Sequence, residues 1–281
     1  MTAGVVGLGI IGGSFARSIK ARTEHRVLVR NRTASVIEEA IAAGAADGCL
    51  TDEALGECDV LIIALPPGAA VAWAEEKGRF IKKGAAVTDV CGVKRAVVPQ
   101  LEKIARDSGF FYIGGHPMAG KETAGFKSSS EVLFNGASMI LTPTESSDPG
   151  ALETLREFCL SIGFGRVTVT TPEHHDRVIA YTSQLCHVAS SAFIKSPVAQ
   201  NHLGFSAGSF RDLTRVAKLD EKLWTELFFH NSDMLAGELR LYIENLQKYL
   251  AALEGGDRES MESLLREGRL LKEASKRNVN S

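Results

Sequence analysis

No stretch of this 281-residue chain approaches the roughly 18 uninterrupted apolar residues that a membrane-crossing helix needs, so no span is expected. The five cysteines (Cys49, Cys58, Cys91, Cys159 and Cys186) are scattered and odd in number, and no C-x-x-C pair occurs. That argues against a disulfide framework and against a zinc site, and for reduced thiols in a cytoplasmic protein; no metal is expected. No basic segment with an apolar core and a small-residue cleavage site opens the sequence, so no secretory leader is expected. An excess of either charge is missing too. With 32 Lys and Arg against 34 Asp and Glu, the formal net charge is -2, which gives no reason to expect nucleic acid or an anionic membrane as partner. Any anion bound here must be held by local cations. Internal repeats and low-complexity tracts are likewise absent. What remains is an ordinary globular composition, 44% hydrophobic and 23% charged, on a chain long enough for two domains.

Short apolar runs alternate with amphipathic stretches over the first 170 or so residues. Strands are expected at Ala3–Val6, Arg26–Val29, Val60–Leu65, Ala86–Val90, Phe110–Ile113, Ser138–Leu141 and Arg166–Thr170. Several are apolar almost throughout, as strands covered by helices on both faces must be. Helical periodicity fills gaps such as Ser35–Ala43 and Val97–Asp107. After Pro172 long amphipathic patterns take over, at Glu173–Ile194, Trp224–Leu253 and Glu259–Ala274. The fold class predicted is α/β: an N-terminal Rossmann-like, mostly parallel sheet over residues 1–170, followed by an all-α C-terminal domain over 171–281. A helical half this apolar is expected to bury surface against a second copy, giving a homodimer.

Gly7-Leu8-Gly9-Ile10-Ile11-Gly12 is a G-x-G-x-x-G that follows the first apolar strand and opens a helix. The first glycine allows a tight turn, the second lets backbone approach a pyrophosphate, and the third permits close helix–strand packing. The helix N-terminus then offers free N–H groups to the anion. A carboxylate at the end of the second strand would bond the ribose 2′-hydroxyl of NAD. Here that strand runs into Arg30-Asn31-Arg32-Thr33, with two guanidiniums and a hydroxyl where a 2′-phosphate would sit. The cofactor predicted is therefore NADP, with NAD possible. Leu65 and Pro66, at the end of the strand from Val60, are expected to border the nucleotide.

Gly114-Gly115-His116-Pro117-Met118-Ala119-Gly120-Lys121-Glu122 resembles the H-P-M-A-G-x-E signature of prephenate and arogenate dehydrogenases, the tyrosine-pathway family. Asp89-Val90-Cys91-Gly92-Val93-Lys94 is similar to that family's D-x-x-S-x-K segment. His175-Asp176 and Ser183-Gln184-Leu185-Cys186-His187 resemble its H-D and S-H-L-P-H segments. Phe210-Arg211-Asp212-Leu213-Thr214-Arg215, with Trp224 and Asn231, resembles its F-x-D-x-T-R…W…N block. The resemblance implies oxidative decarboxylation of a cyclohexadienyl dicarboxylate, prephenate or arogenate. It implies that His116 takes the proton of the ring hydroxyl, since a neutral imidazole is a competent acceptor near pH 7. Arg215 would clamp a substrate carboxylate, Asp212 would hold the guanidinium, and Glu122 would anchor the loop beside His116. Ser183, Gln184, His187, Trp224 and His175 would contact the substrate, His175 near the domain interface, and Asp89 and Lys94 would bind the cofactor beside the nicotinamide. From the residues alone, His116 at a strand end before Pro117 is expected in a loop.

The sequence departs from the family where its serine is replaced by Gly92. Cys91, a water or the nicotinamide amide could take over from the missing hydroxyl, or substrate handling differs. Gln184 and Cys186 also replace the usual His and Pro. Two other readings remain: a β-hydroxyacid or 6-phosphogluconate-type dehydrogenase with a lysine base in the helical half, and a nonenzymatic dinucleotide sensor. Neither has a use for the His116 segment.

Overall fold

In the computed structural model, which describes residues 1–121 and 123–277, the first half of the chain winds around one sheet. Among the described residues the strands are β1 (Thr2–Val6), β2 (Arg26–Arg30), β3 (Gly48–Cys49), β4 (Val60–Ile63), β5 (Ala86–Asp89), β6 (Phe111–Pro117), β7 (Ser138–Thr142) and β8 (Arg166–Val169). Their order is β3-β2-β1-β4-β5-β6-β7-β8. Every pair is parallel except β6–β7. The mostly parallel sheet expected from the sequence is thus present.

The helices that cover this sheet are α1 (Ile10–Arg22), α2 (Ala34–Ala42), α3 (Pro67–Lys77), α4 (Val98–Ser108) and α5 (Pro149–Ser161). Successive strand residues feed opposite faces, which explains why the strands read as apolar throughout. Val60 and Ile62 pack with Phe15 and Ile19 of α1, while Leu61 and Ile63 pack with Val71 of α3 and Leu101 of α4. The chain moves from β1 outward to β3, then returns to β4 on the other side. That reversal opens a crevice at the carboxyl ends of β1 and β4, where ligands of such sheets bind.

Two differences from the sequence reading matter for function. β6 does not stop at Ile113 but continues through His116, with Gly114, Gly115 and His116 opposite Thr142, Leu141 and Ile140 of β7. The glycine pair serves close packing rather than a turn: a Cβ at Gly114 or Gly115 would lie 2.4 Å from the hydroxyl of Thr142 or Thr88. His116 is therefore carried on a strand rather than in a loop. The second difference is in the helices. The expected single helix over Glu173–Ile194 is α6 (Pro172–Ile179), a π-helical turn at Ala180–Leu185, and α7 (Cys186–Phe193). Thr171 caps α6 by accepting from the His174 N–H, and Pro172 fits the first turn, where no N–H is needed. π turns inside helices occur often at functional sites, and this one carries Ser183 and Gln184.

The chain continues through α8 (Gly208–Thr214), α9 (Glu221–His230), α10 (Ser232–Glu254) and α11 (Arg258–Arg277). Two compact units result, Met1–Ser232 and Asp233–Ser281, so α6 to α9 share a unit with the sheet. Within the second unit, Gly256 at φ +65° turns the chain between α10 and α11, and the Tyr249 hydroxyl donates to the Leu264 carbonyl. No helix among the described residues is long and apolar enough to cross a membrane.

Candidate active site

A cleft of about 690 Å³ opens at the crevice and is lined from four directions. The glycine turn Gly9–Gly12 and the segment Ala64–Pro67 form one end. Cys91, Gly92 and His116 form the floor. Ser183, Gln184 and His187 come from the π turn and α7, and Arg215 and Trp224 from the end of α8 and from α9. A separate hollow of about 760 Å³, lined by Ile194, His202, Phe210 and Lys218, does not reach the glycine turn.

At the first end the residues fit a dinucleotide. Gly7 has φ +90°, and a Cβ there would lie 2.4 Å from the Ala64 carbonyl; one at Gly12 would lie 1.9 Å from the Gly7 carbonyl. Only glycines allow this tight turn. No side chain caps α1 at Gly9, which leaves the first-turn amides of the helix to a ligand. Asn31 accepts from the Leu8 N–H at 3.1 Å and so braces the turn from the end of β2. Arg30 is engaged by Asp52, at 2.6 Å, and Lys77 reaches the same carboxylate at 2.8 Å. Arg32 and Thr33 are exposed, and the Thr33 side chain makes no capping bond to α2. Leu65 and Pro66 line the cleft.

Asp89 and Lys94 stand differently from the expectation that they contact the cofactor. Both side chains have no exposure and form an ion pair at 2.5 Å. Asp89 also accepts from the Tyr112 hydroxyl and the Gly115 and Cys91 N–H groups, and Lys94 donates to the Gly115 carbonyl at 2.5 Å. Burial opposes the charge on Asp89, but Lys94 and these donors hold its carboxyl below the usual range. The pair lies beneath the cleft and clamps both polar groups of the residue that precedes His116. With no exposure, the pair supports the floor of the cleft without lining it.

His116 Nδ1 lies 2.9 Å from His175 Nε2, and His175 Nδ1 lies 2.7 Å from Asp176 Oδ1. His175 is only 2% exposed and has both nitrogens engaged, so it touches neither substrate nor an open interface. This corrects its expected place as a substrate contact. Burial, with the neighbouring His175 and Lys94, holds His116 well below the ordinary imidazole value. Burial likewise lowers His175, against the opposing pull of Asp176.

Asp176 is the centre of a network that the motifs do not reveal. The Lys94 and Arg95 N–H groups donate to its two oxygens at 2.8 and 2.9 Å. Asn231, fully buried, donates to the Asp176 carbonyl and to Gln184 Oε1, and accepts from Arg95. Gln184 in turn donates to the Leu227 carbonyl. Gln184 is thus mainly a brace between α6, α9 and the cleft. The motifs had named His175-Asp176, Gln184 and Asn231 separately, but nothing in their spacing joined them into one network.

His187 donates from Nδ1 to the Ser183 carbonyl at 2.8 Å, since a carbonyl can only accept. Its ring lies 3.7 Å from that of Trp224, centroid to centroid, and the two make one wall of the cleft. Burial lowers the His187 pKa, and the Arg215 charge adds to this. Arg215 reaches the cleft but is not held by Asp212 as expected: Asp212 is exposed on α8 and forms no pair with it. Asp212 lies within α8, and Arg215 follows its last residue, Thr214. Glu122 lies outside the described residues. At Gly92, an added Cβ would sit 3.8 Å from His116 Nε2, an ordinary contact, so packing at the Cβ does not require a glycine there. Cys91 does not replace it, because its thiol points to the Leu65 carbonyl, 3.5 Å away, and burial pushes its pKa well up.

A glycine cradle at a sheet crevice, facing a half-buried imidazole and a guanidinium across one cleft, defines a dinucleotide-dependent oxidoreductase. Residues 15–169 match the family model "Prephenate dehydrogenase, nucleotide-binding domain", and residues 171–267 match "Prephenate dehydrogenase, dimerization domain". The chain belongs to the prephenate dehydrogenase family. It is 30% identical to a cyclohexadienyl dehydrogenase of Zymomonas mobilis over 266 residues, covering 90% of this chain and 88% of the relative. The crystal structure of Synechocystis arogenate dehydrogenase superposes with a TM-score of 0.83 at 27% identity, over 98% of this chain and 100% of that one. Prephenate dehydrogenase from A. aeolicus, in complex with hydroxyphenyl propionate and NAD+, superposes with a TM-score of 0.84 at 25% identity, over 98% of each chain.

Proposed function

We propose that this enzyme oxidises and decarboxylates prephenate, or its transaminated relative arogenate, with NADP as the preferred cofactor. The observation that carries the reading is that His116 and the Arg215 guanidinium line one cleft beside the glycine turn, where burial favours the neutral imidazole. The ring hydroxyl of the substrate gives its proton to His116 Nε2, the nitrogen that faces the cleft. Arg215 holds a carboxylate, and the stacked His187 and Trp224 form an apolar wall against the ring. A bound nicotinamide supplies the hydride acceptor for the carbon that bears the hydroxyl. Loss of CO₂ then makes the ring aromatic, so the protein mainly has to orient and deprotonate.

Arg215→Gln removes a charge-assisted contact with the substrate and should raise KM about 10- to 100-fold, with a smaller change in kcat. Steady-state kinetics at saturating nucleotide check this. The depressed pKa of His116 also fixes the sign of the pH response. The free imidazole persists below its ordinary value of about 6.5, so the acid limb of kcat/KM should lie at lower pH than that. An acid limb above 7 would contradict the assignment.

The choice of NADP is supported by the absence of an acid in Arg30-Asn31-Arg32-Thr33 and by the exposure of Arg32 and Thr33. With Arg30 engaged by Asp52, Arg32 is the better candidate for the main phosphate contact. Arg32→Glu should lower kcat/KM for NADP about 10- to 100-fold and leave that for NAD nearly unchanged. Equal losses for both nucleotides would count against a 2′-phosphate site. Assembly as a homodimer is supported by the match of residues 171–267 to a dimerization domain and by exposed apolar side chains such as Leu203, Phe205, Leu250 and Leu253. A cytoplasmic location fits the cysteine usage.

A further inference from the structure

We propose that Asp176 and His175 act as a positioning dyad that forces His116 into the one tautomer able to accept a proton from the cleft. The inference deepens the functional reading above and rests on it for its kinetic consequences.

The argument is a matter of matching donors to acceptors along one line of hydrogen bonds. Asp176 receives the Lys94 N–H on one oxygen and the Arg95 N–H on the other, with Arg95 Nε at 3.4 Å from the second. A carboxylate in that setting is ionised and can only accept. His175 Nδ1, 2.7 Å from Asp176 Oδ1, must therefore carry the hydrogen. A neutral His175 then has a bare Nε2, and the group facing it at 2.9 Å, His116 Nδ1, must be the donor. With its single hydrogen on Nδ1, neutral His116 has its lone pair on Nε2. That is the nitrogen near Gly92 and the cleft. Each step follows from the one before, and the opposite arrangement would set two lone pairs or two hydrogens against each other.

The fold holds this line rigidly. Asp176 and His175 lie in the short α6, Asp176 is tied to the Lys94–Arg95 backbone, and Asn231 grips its carbonyl. At the other end, Asp89 and Lys94 fix Gly115, so His116 sits on a strand that cannot swing away. The charged groups around the imidazole are Lys94, Asp89 and, through His175, Asp176 with Arg95. Gly92 offers no side-chain donor or acceptor, so the dyad is the only side-chain partner found for the His116 ring among the described residues. When the proton arrives at Nε2, the Nδ1–H points along a line that ends on a carboxylate, which favours the imidazolium. Asp176 acts through His175 and touches no reacting atom. It is a positioning residue.

The test is histidine tautomer analysis by nitrogen-15 NMR on the full chain, with the His116 signal assigned from its loss in His116→Asn. In the native protein His116 should show a protonated Nδ1 and a bare Nε2. Asp176→Asn, whose amide can present a donor to His175, should reverse or scramble that tautomer and lower kcat about 100-fold, with nucleotide affinity retained. If Asp176→Asn fails to fold, His175→Gln provides the second arm. It should lower kcat by at least about 10-fold and change KM much less. A native His116 with its hydrogen on Nε2 overturns the proposal, as does an unchanged tautomer with kcat within about twofold of the native value in the variants. The NMR readout needs no turnover, so an enzyme inactive on both cyclohexadienyl substrates would defeat the functional reading and leave the tautomer question answered.

Discussion

His116→Asn is expected to lower kcat by roughly 100-fold or more, while the dissociation constant for the nucleotide stays within about twofold. The split follows from position. His116 lies on β6 at the floor of the cleft, whereas the amides and glycines that receive the pyrophosphate lie on β1 and α1. Asparagine keeps a polar side chain of shorter reach but has no basic nitrogen. The proton of the substrate hydroxyl then has no acceptor as the carbonyl forms. Nucleotide titration by fluorescence and steady-state kinetics measure the two quantities separately. Parallel losses in both would mean that His116 supports the fold rather than the chemistry.

The other large effect concerns stability. Lys94→Met should destabilise the protein by about 3–5 kcal/mol, because it leaves the Asp89 carboxylate buried without its counter-ion. Desolvation is what makes this pair costly to break: both side chains have no exposure. Tyr112, Cys91 and Gly115 would still donate to Asp89, which keeps the loss below that of a fully orphaned charge. Chemical denaturation should show a clear drop in midpoint. Adding Asp89→Asn to Lys94→Met should recover part of it, since the stranded charge is then gone. The linkage has a definite sign. The Asp89 pKa is depressed in the folded protein, so its contribution is present above the unfolded carboxylate value and is lost as pH falls through the folded one. Stability should therefore fall on acidification in the native protein, and His116 adds to the fall because the unfolded imidazole takes up a proton below about 6.5.

The sequence made the nucleotide-binding half legible because its signals are local. A glycine spacing after an apolar strand, and strands apolar on both faces, can be read without knowing what packs where. β3 escaped notice because Gly48 and Cys49 are too few to show any period. The continuation of β6 past Ile113, through the glycine pair to His116, was hidden for a related reason. Glycines mark turns in a sequence, but these two admit the hydroxyls of Thr142 and Thr88, a contact between residues far apart in the chain. The same limit explains the site. His116, Arg215, His187 and Trp224 could be named from motifs, and the cleft brings them together. Asp89 and Lys94, five residues apart, gave no hint that they would bury each other. The link from Asp176 through His175 to His116 spans 60 residues of sequence, so spacing could not reveal it. The expected Asp212–Arg215 pair failed in the opposite sense: the resemblance implied a contact between near neighbours in the sequence, and Asp212 is exposed instead.

The account turns on a substrate with two carboxyl groups being deprotonated by His116 while Arg215 anchors it. The most direct measurement is the initial rate of reduced nucleotide formation, taken with prephenate, arogenate and 6-phosphogluconate, each paired with NADP and with NAD. Turnover with at least one of the two cyclohexadienyl substrates, faster with NADP and absent with 6-phosphogluconate, is the predicted result. Nucleotide binding without turnover of prephenate or arogenate would contradict it.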